Sequence, residues 1–224
     1  EFIVFIATLI NTPVEKGVYL HYKRKAQNKL KNMPNLKIIG ITGSYGKTSS
    51  KNILSDILNI KYNALPTPRN LNTYNGLIMT VNNHMDKFTD IFIAEMGAFK
   101  RGEIKEKAEF IKPKYAILTT IGTAHLESFK SRENIQKAKF ELIESLPSDG
   151  LAILNKDDEY QIKYKIKSKC IVKWVSTKDK DSDLYISRIK VSNNGTKFIC
   201  KFKDIKKEFL FETKLLGIAN IYNI

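Results

Sequence analysis

The chain is short of the features that mark several broad protein classes. Among its 224 residues are two cysteines, Cys170 and Cys200, too few for a disulfide framework and lacking the spacing of a zinc site. Both lie in apolar, strand-like runs (CIVKWV and KFICKF), which reads as buried thiols in a reducing compartment. Arginine is scarce. Five of the 38 basic residues are Arg (Arg24, Arg69, Arg101, Arg132, Arg188), so lysine carries most of the +15 net charge. Proteins that read bases or phosphates bidentately lean on arginine, and no basic stretch is interleaved with aromatics in the way that stacks single strands. Nucleic acid is therefore not an expected partner, and the basic excess suits small anionic substrates or an acidic membrane surface. The apolar run FIVFIATLI near the start falls short of the about 20 residues that span a bilayer. It leads into a basic helical stretch, Glu15–Lys31, with apolar Val18, Tyr19, Tyr22, Ala26 and Leu30. The pair reads either as a core element or as the end of a truncated membrane anchor followed by a juxtamembrane segment.

What the chain does have is concentrated in Leu36–Ser50, LKIIGITGSYGKTSS. The β-branched run before Gly43 predicts a buried strand, and Gly43–Thr48 a turn opening a helix. Glycines at 43 and 46 let backbone N–H groups curl round a phosphate, Lys47 adds a point charge, and Thr48 offers a hydroxyl to Mg²⁺ at the positive end of the helix. The general pattern G-x-x-x-x-G-K-[ST] places its first glycine where this chain has Ile41. After the loop, Ile53, Leu54, Ile57, Leu58 and Ile60 recur at helical spacing and predict one apolar face.

Further along, strand and helix patterns alternate. Strands are expected at Tyr62–Leu65, in DIFIAEMG, and at Tyr115–Thr119, Leu151–Leu154 and Ile171–Val175. Helices are expected around Leu77–Val81, over Gly102–Ile111 and Ser131–Leu146, and briefly from Asp157. The strands are apolar on both faces, so the fold class is α/β, a mostly parallel sheet with helices on both faces. From Asp183 the period changes to two on either side of Asn193-Asn194-Gly195, which predicts a hairpin, and Glu208–Lys214 reads as a third strand. A small antiparallel β-unit is thus expected near the C-terminus, and LLGIANIYNI closes the chain with a helix just starting. The organisation read from this is 1–35, an apolar start and basic helix, followed by one α/β unit over 36–224.

In open α/β sheets ligands lie beyond the carboxyl ends of the strands. Lys47, Thr48, Glu95, His125 and Asn155 fall there. Glu95 closes an apolar strand, where a carboxylate needs a cation, so it is a candidate Mg²⁺ ligand or general base. His125 follows a strand in IGTAH; His21 and His84 stand in polar surface contexts. Lys139, in QKAKFELIE, is by itself one lysine among many.

Taken in order, ITGSYGKTS, TPRNLN with Gly76, EMGAFKRGEI, TTIGTAHLESF, AKFELI, LNKDD and LLGIANIYN resemble the central ATP-binding domain of the Mur ligase family. These are the amide-forming enzymes of peptidoglycan precursor synthesis. The family's own loop, T-G-[ST]-x-G-K-[TS], lacks the first Walker glycine, as does this one. EMGA followed by GEI most resembles the branch that joins D-alanyl-D-alanine to a UDP-N-acetylmuramoyl-tripeptide. The resemblance implies ATP and Mg²⁺ as cofactors. Lys47 would hold the β/γ-phosphates, with Gly43, Ser44, Gly46 and Ser49 completing the cradle. Thr48, Glu95 and His125 would ligate Mg²⁺, and Lys139 falls where the family carries a carbamylated lysine, an anionic oxygen ligand for a second Mg²⁺. Asn220 and Asn223 would meet the adenine. Asn70, Asn72 and Thr73 would approach the UDP-muramoyl-peptide, with D-alanyl-D-alanine or a related amine as second substrate.

Three positions depart from the family pattern: Tyr45 and Thr120 stand where Asn is common, and Ala219 where His is common. The family's N-terminal UDP-binding and C-terminal domains would flank this stretch, so the chain is expected to be part of a longer protein and inactive alone. The implied location is the bacterial cytoplasm, with the inner membrane face as an option through the N-terminus. The same residues also suit a folylpolyglutamate-synthase-like ligase, a P-loop nucleotide switch, or a nucleotide-binding scaffold.

Overall fold

Strand runs that are apolar on both faces need cover on both sides, and here they pair into one sheet whose parallel part carries helices on each face. The computed structural model describes residues 2–205 and 207–224, and side chains from Asn11 onward except that of Ala219. The chain runs α1 (Phe2–Lys31), β1 (Lys37–Thr42), α2 (Lys47–Leu58), β2 (Ala64–Pro66), α3 (Tyr74–Asn83), β3 (Ile91–Glu95), α4 (Glu103–Ile111), β4 (Tyr115–Leu118) and α5 (Leu126–Phe129). It continues through α6 (Arg132–Glu144), β5 (Leu151–Asn155), α7 (Glu159–Lys163), β6 (Ile171–Ser176), β7 (Leu184–Ser192), β8 (Gly195–Phe202), β9 (Glu208–Thr213) and α8 (Ile218–Ile221). Among the described residues the strand order is β2-β3-β1-β4-β5-β6-β7-β8-β9, parallel from β2 through β7 and antiparallel beyond.

Alternation along each strand sorts side chains into two cores. Ile38, Phe92 and Ala94 face the larger one, shared with α3, α4 and α6; Ile41, Ile91 and Ile93 face the other, against α2. Every residue of β3 is buried, which carries Glu95 inward with it. The amphipathic reading of α2 needs correction. Leu54 and Leu58 do pack on the sheet, but Ile57 is 52% and Ile60 85% exposed. The helix starts so close to β1 that its inner face is filled by Ser50, Lys51 and Ser55, and it ends before Ile60.

The antiparallel unit is not a separate appendage, because β7 pairs parallel to β6 (Val175 with Leu184) and extends the same sheet. The hairpin β7–β8 shifts register between Ser187 and Lys190, where Arg188 has φ of 50°. Ile186, Phe198 and Cys200 form a third small core closed by Ile221 of α8. At the other end of the chain, Ala26 of α1 is buried in the main core, and Tyr19 and Leu30 pack against it. Among the described residues no helix is long and apolar enough to cross a membrane. The side chains of 2–10, on which the anchor expectation rests, lie outside the described ones.

Candidate active site

Strand β1 delivers the chain to the glycine loop with its last side chain, Thr42, donating to the Met96 carbonyl at 2.9 Å. The loop then depends on two glycines. Gly43 (φ 153°) and Gly46 (φ 81°) hold backbone angles that other residues resist, and a Cβ on them would overlap the Thr119 hydroxyl and the Asn223 side-chain oxygen. Ser44 fastens the loop to the β4 exit: its N–H donates to Thr120 O at 2.8 Å and its hydroxyl accepts from Gly122 N–H at 2.9 Å. Thr120, one of the departures from the family pattern, accepts from Tyr45 N–H at 3.2 Å through its hydroxyl. Gly46 caps α2 without a side-chain partner, so the first amides of the helix stay open to an anion. Lys47 Nζ bends back to Gly43 O at 2.7 Å, and burial pushes its ammonium below the usual lysine range against the opposing pull of Glu95. The result is a loop of open amides with a lysine at its rim, an arrangement that can cradle a phosphate chain.

Beside it stands Glu95. Its Oε2 accepts from Thr48 Oγ1 at 3.0 Å and lies 3.2 Å from Lys51 Nζ, while Oε1 accepts from Asn72 Nδ2 at 3.0 Å. Its backbone N–H is held by the Thr67 hydroxyl at 3.1 Å. A hydroxyl and a carboxylate 3.0 Å apart at the edge of a phosphate cradle are hard oxygen donors of the kind Mg²⁺ takes alongside substrate phosphates and water. The donor set therefore fits that ion.

The remaining expected residues are not all drawn into this cluster. His125 is exposed in a left-handed turn (φ 61°), with its ring 4.5 Å edge-on to Phe99, and among the described residues it makes no hydrogen bond to Thr48 or Glu95. Lys139, 2% exposed, sits 5.9 Å over the Phe129 ring, with no hydrogen-bond acceptor or carboxylate partner among the described residues. Burial first, then the nearby Lys47 and Lys107 cations, push its pKa down to about 7 against the weaker pull of Glu103 and Glu141. Thr73 caps α3 by accepting from Gly76 N–H at 3.1 Å, and Asn70 is exposed on the loop before it. Only Asn72 of that loop touches the acidic centre.

On the far side of the glycine loop, Asn223 Oδ1 accepts from Ser50 Oγ at 3.4 Å and its Nδ2 donates to Asn220 Oδ1 at 3.3 Å. A cavity of about 610 Å³ opens there, lined by Tyr45, Gly46, Ser49, Asn155, Asp158 and Asn223 among others. Its floor is braced by Asp157, which accepts from Ser176 Oγ (2.6 Å), Thr177 N–H (2.7 Å) and Tyr222 OH (2.8 Å). Burial works to raise this carboxyl, and those donors outweigh it and hold it below its ordinary value. A larger groove of about 1080 Å³ on the outer side of α4 and α6 shares no lining residue with this cavity. Sequence reasoning missed Lys51, Asp157 and Tyr222. Only the two acids of LNKDD carried a usable signal, being a strand end followed by a helix cap.

The Mur ligase middle domain family model matches residues 41–224, most of the chain. The chain belongs to the Mur ligase family. Two similar relatives of this family are UDP-N-acetylmuramoyl-tripeptide–D-alanyl-D-alanine ligases. That of Buchnera aphidicola subsp. Baizongia pistaciae is 35% identical over 195 residues (87% of this chain, 42% of the relative), and that of Bacillus subtilis is 34% identical over 188 (84% and 39%). Among solved Mur ligases, MurF from Acinetobacter baumannii superposes with a TM-score of 0.82 at 25% identity, covering 91% of this chain and 44% of that one. MurF from Thermotoga maritima, solved in complex with ADP, gives 0.81 at 26% identity, covering 91% and 46%. The chain thus spans about two fifths of the length of these curated relatives.

Proposed function

We propose that the protein is an ATP-dependent amide ligase of peptidoglycan precursor synthesis. Its substrates would be a UDP-N-acetylmuramoyl-tripeptide and D-alanyl-D-alanine. The observation that carries this reading is the phosphate cradle of Gly43–Thr48 set directly against a buried carboxylate, Glu95, in a chain of this family. Residues 36–224 serve as the ATP-binding unit. Gly43, Ser44, Gly46 and Ser49 wrap the phosphates, and Lys47 swings from the loop carbonyls onto the β/γ-phosphates. The cavity beside Asn220 and Asn223 takes the nucleoside. Thr48 and Glu95 would hold Mg²⁺, which supplies charge neutralisation between phosphates and the incoming carboxylate when bound. His125, on an exposed turn, would have to swing inward to add its imidazole to that donor set. Lys139, whose pKa burial pushes down to about 7, offers enough neutral amine to take up CO₂ and become an anionic oxygen donor.

In the reaction the substrate carboxylate oxygen attacks the γ-phosphorus in line and ADP departs. The amine nitrogen then attacks the acyl carbon, releasing phosphate, and the ammonium proton is lost to solvent. Lys47 and the α2 amides spread the charge of two anions that would otherwise repel. The Arg69–Thr73 loop, tied to Glu95 through Asn72, brings the muramoyl-peptide side to the same point. Two free buried cysteines support a reducing, cytoplasmic setting.

The test is ADP release by the protein at the full length of its relatives. UDP-N-acetylmuramoyl-tripeptide and D-alanyl-D-alanine are each omitted in turn, with bicarbonate present. Release that needs both supports the ligase; hydrolysis indifferent to either substrate would move the assignment to a nucleotide switch.

A further inference from the structure

Lys51 lies on α2 one turn after Thr48 and is 1% exposed, among the largest fully buried side chains in the molecule. Its ammonium sits 3.2 Å from Glu95 Oε2 and donates to the Arg69 carbonyl at 2.5 Å. Arg69 has φ of 48°, a left-handed backbone that a residue with a side chain adopts only at some cost. The same loop is fastened to Glu95 a second time: Asn72 Nδ2 donates to Oε1 at 3.0 Å, and Asn72 O accepts from Gly97 N–H at 3.0 Å. Both carboxylate oxygens are therefore engaged. Oε2 is shared by two donors of α2, Thr48 and Lys51, and one of those donors also holds the loop.

We propose that Lys51 is a positioning residue, a built-in cation on the side of Glu95 where Mg²⁺ would bind, which joins that carboxylate to the Arg69–Thr73 loop. This rests on the reading of Glu95 as a metal carboxylate. With Glu95 buried beside it, an apolar side chain at this position would leave that carboxylate unpaired, so the charge of Lys51 is what the site retains. Its ammonium, 3.2 Å from Oε2, holds the Glu95 carboxylate turned toward Thr48. A divalent cation arriving alone has to share Oε2 with an ammonium a few ångströms away, and the like charges repel. Only when phosphate oxygens join the donor set is the repulsion overcome. Lys51 thereby makes metal binding depend on nucleotide while holding the substrate-side loop in register.

The probe is Mn²⁺, titrated into the nucleotide-free protein and followed by electron paramagnetic resonance. Lys51→Gln removes the charge and keeps a donor for Arg69 O. It is expected to bind Mn²⁺ about tenfold more tightly than wild type, from the lost like-charge repulsion. The gain should vanish in the Lys51→Gln/Glu95→Gln double variant, and Lys51→Arg should stay close to wild type. Amide exchange over 69–73 should be unchanged in Lys51→Gln and faster in Lys51→Met. Unaltered Mn²⁺ affinity in Lys51→Gln overturns the proposal, and so does failure of both Lys51→Gln and Lys51→Arg to fold, which would assign the residue to stability alone. If instead wild type and Glu95→Gln bind Mn²⁺·ADP equally, the metal reading of Glu95 has failed, a distinguishable result.

Discussion

Lys51 on α2 and Lys139 on α6 are buried to nearly the same degree, at 1% and 2% exposure, in opposite electrostatic surroundings. Lys51 has a carboxylate at 3.2 Å and a carbonyl at 2.5 Å. Lys139 has an aromatic face, no carboxylate partner among the described residues, and two other lysines pressing on it. Burial alone does not decide what a lysine does; the group facing it does. Beside the glycine loop, the lysine on α2 is a fixed cation paired with Glu95, and the one on α6 has its pKa pushed down to about 7.

The comparison breaks most severely when Lys47 is removed, since it serves both sides. If the proposed ligase activity holds, Lys47→Ala in the protein at the full length of its relatives should lower substrate-dependent ADP release by ~1000-fold or more, because phosphoryl transfer relies on positioned charge. In the chain itself the same change removes one of the cations depressing Lys139 and should raise the Lys139 pKa above about 7, measurable by NMR.

Replacing each buried lysine by methionine separates them directly. Lys51→Met strands the Glu95 carboxylate and should cost about 3–5 kcal/mol in denaturant unfolding, as breaking a buried pair does. Lys139→Met removes an amine with no hydrogen-bond acceptor or carboxylate partner among the described residues and should be neutral or stabilising by about 1 kcal/mol. The sign of the pH effect follows. The unfolded chain holds the Lys139 proton up to the ordinary value of 10.5, whereas the folded one holds it only below about 7. The native state thus pays a penalty that is complete below pH 7 and relieved as pH rises toward 10.5, so the Lys139→Met advantage should shrink between pH 7 and 10.

Smaller effects test the frame that holds the two sides apart. Gly46→Ala puts a Cβ at φ 81° against Asn223 and should cost about 1–2 kcal/mol while weakening nucleotide binding. Ser131→Ala removes the hydroxyl that accepts from Asn134 N–H at 3.2 Å at the start of α6 and should cost about 1 kcal/mol, read as a lower melting temperature.

How much of this was legible beforehand follows the range of the interactions. The glycine loop is local chemistry, and its turn and helix start could be read from seven residues. Strand β3 is apolar up to Glu95, so its path was legible, and so was the need of that closing carboxylate for a cation. The Ser131 cap and the start of α6 were also within reach of sequence. The join of β7 to β6 was not, because parallel pairing across a loop leaves no local mark. Nor was α5, a single four-residue turn. Lys51 reads as one more solvated lysine until the sheet, the Arg69 turn and Glu95 close round it, and the exposure of Ile57 is the other face of that fact. For Lys139, only the resemblance singled it out; its low proton affinity depends on Lys47 and Lys107, distant in sequence.

The most direct test of the two-lysine account is a ¹³C NMR titration of lysine side chains in the chain, with Lys139 assigned by its absence from Lys139→Met. A midpoint near 7, with a bicarbonate-dependent carbamate signal that appears above that pH and fades as pH falls through it, is the expected result. A midpoint near the ordinary 10.5, with no carbamate at any pH, would contradict it.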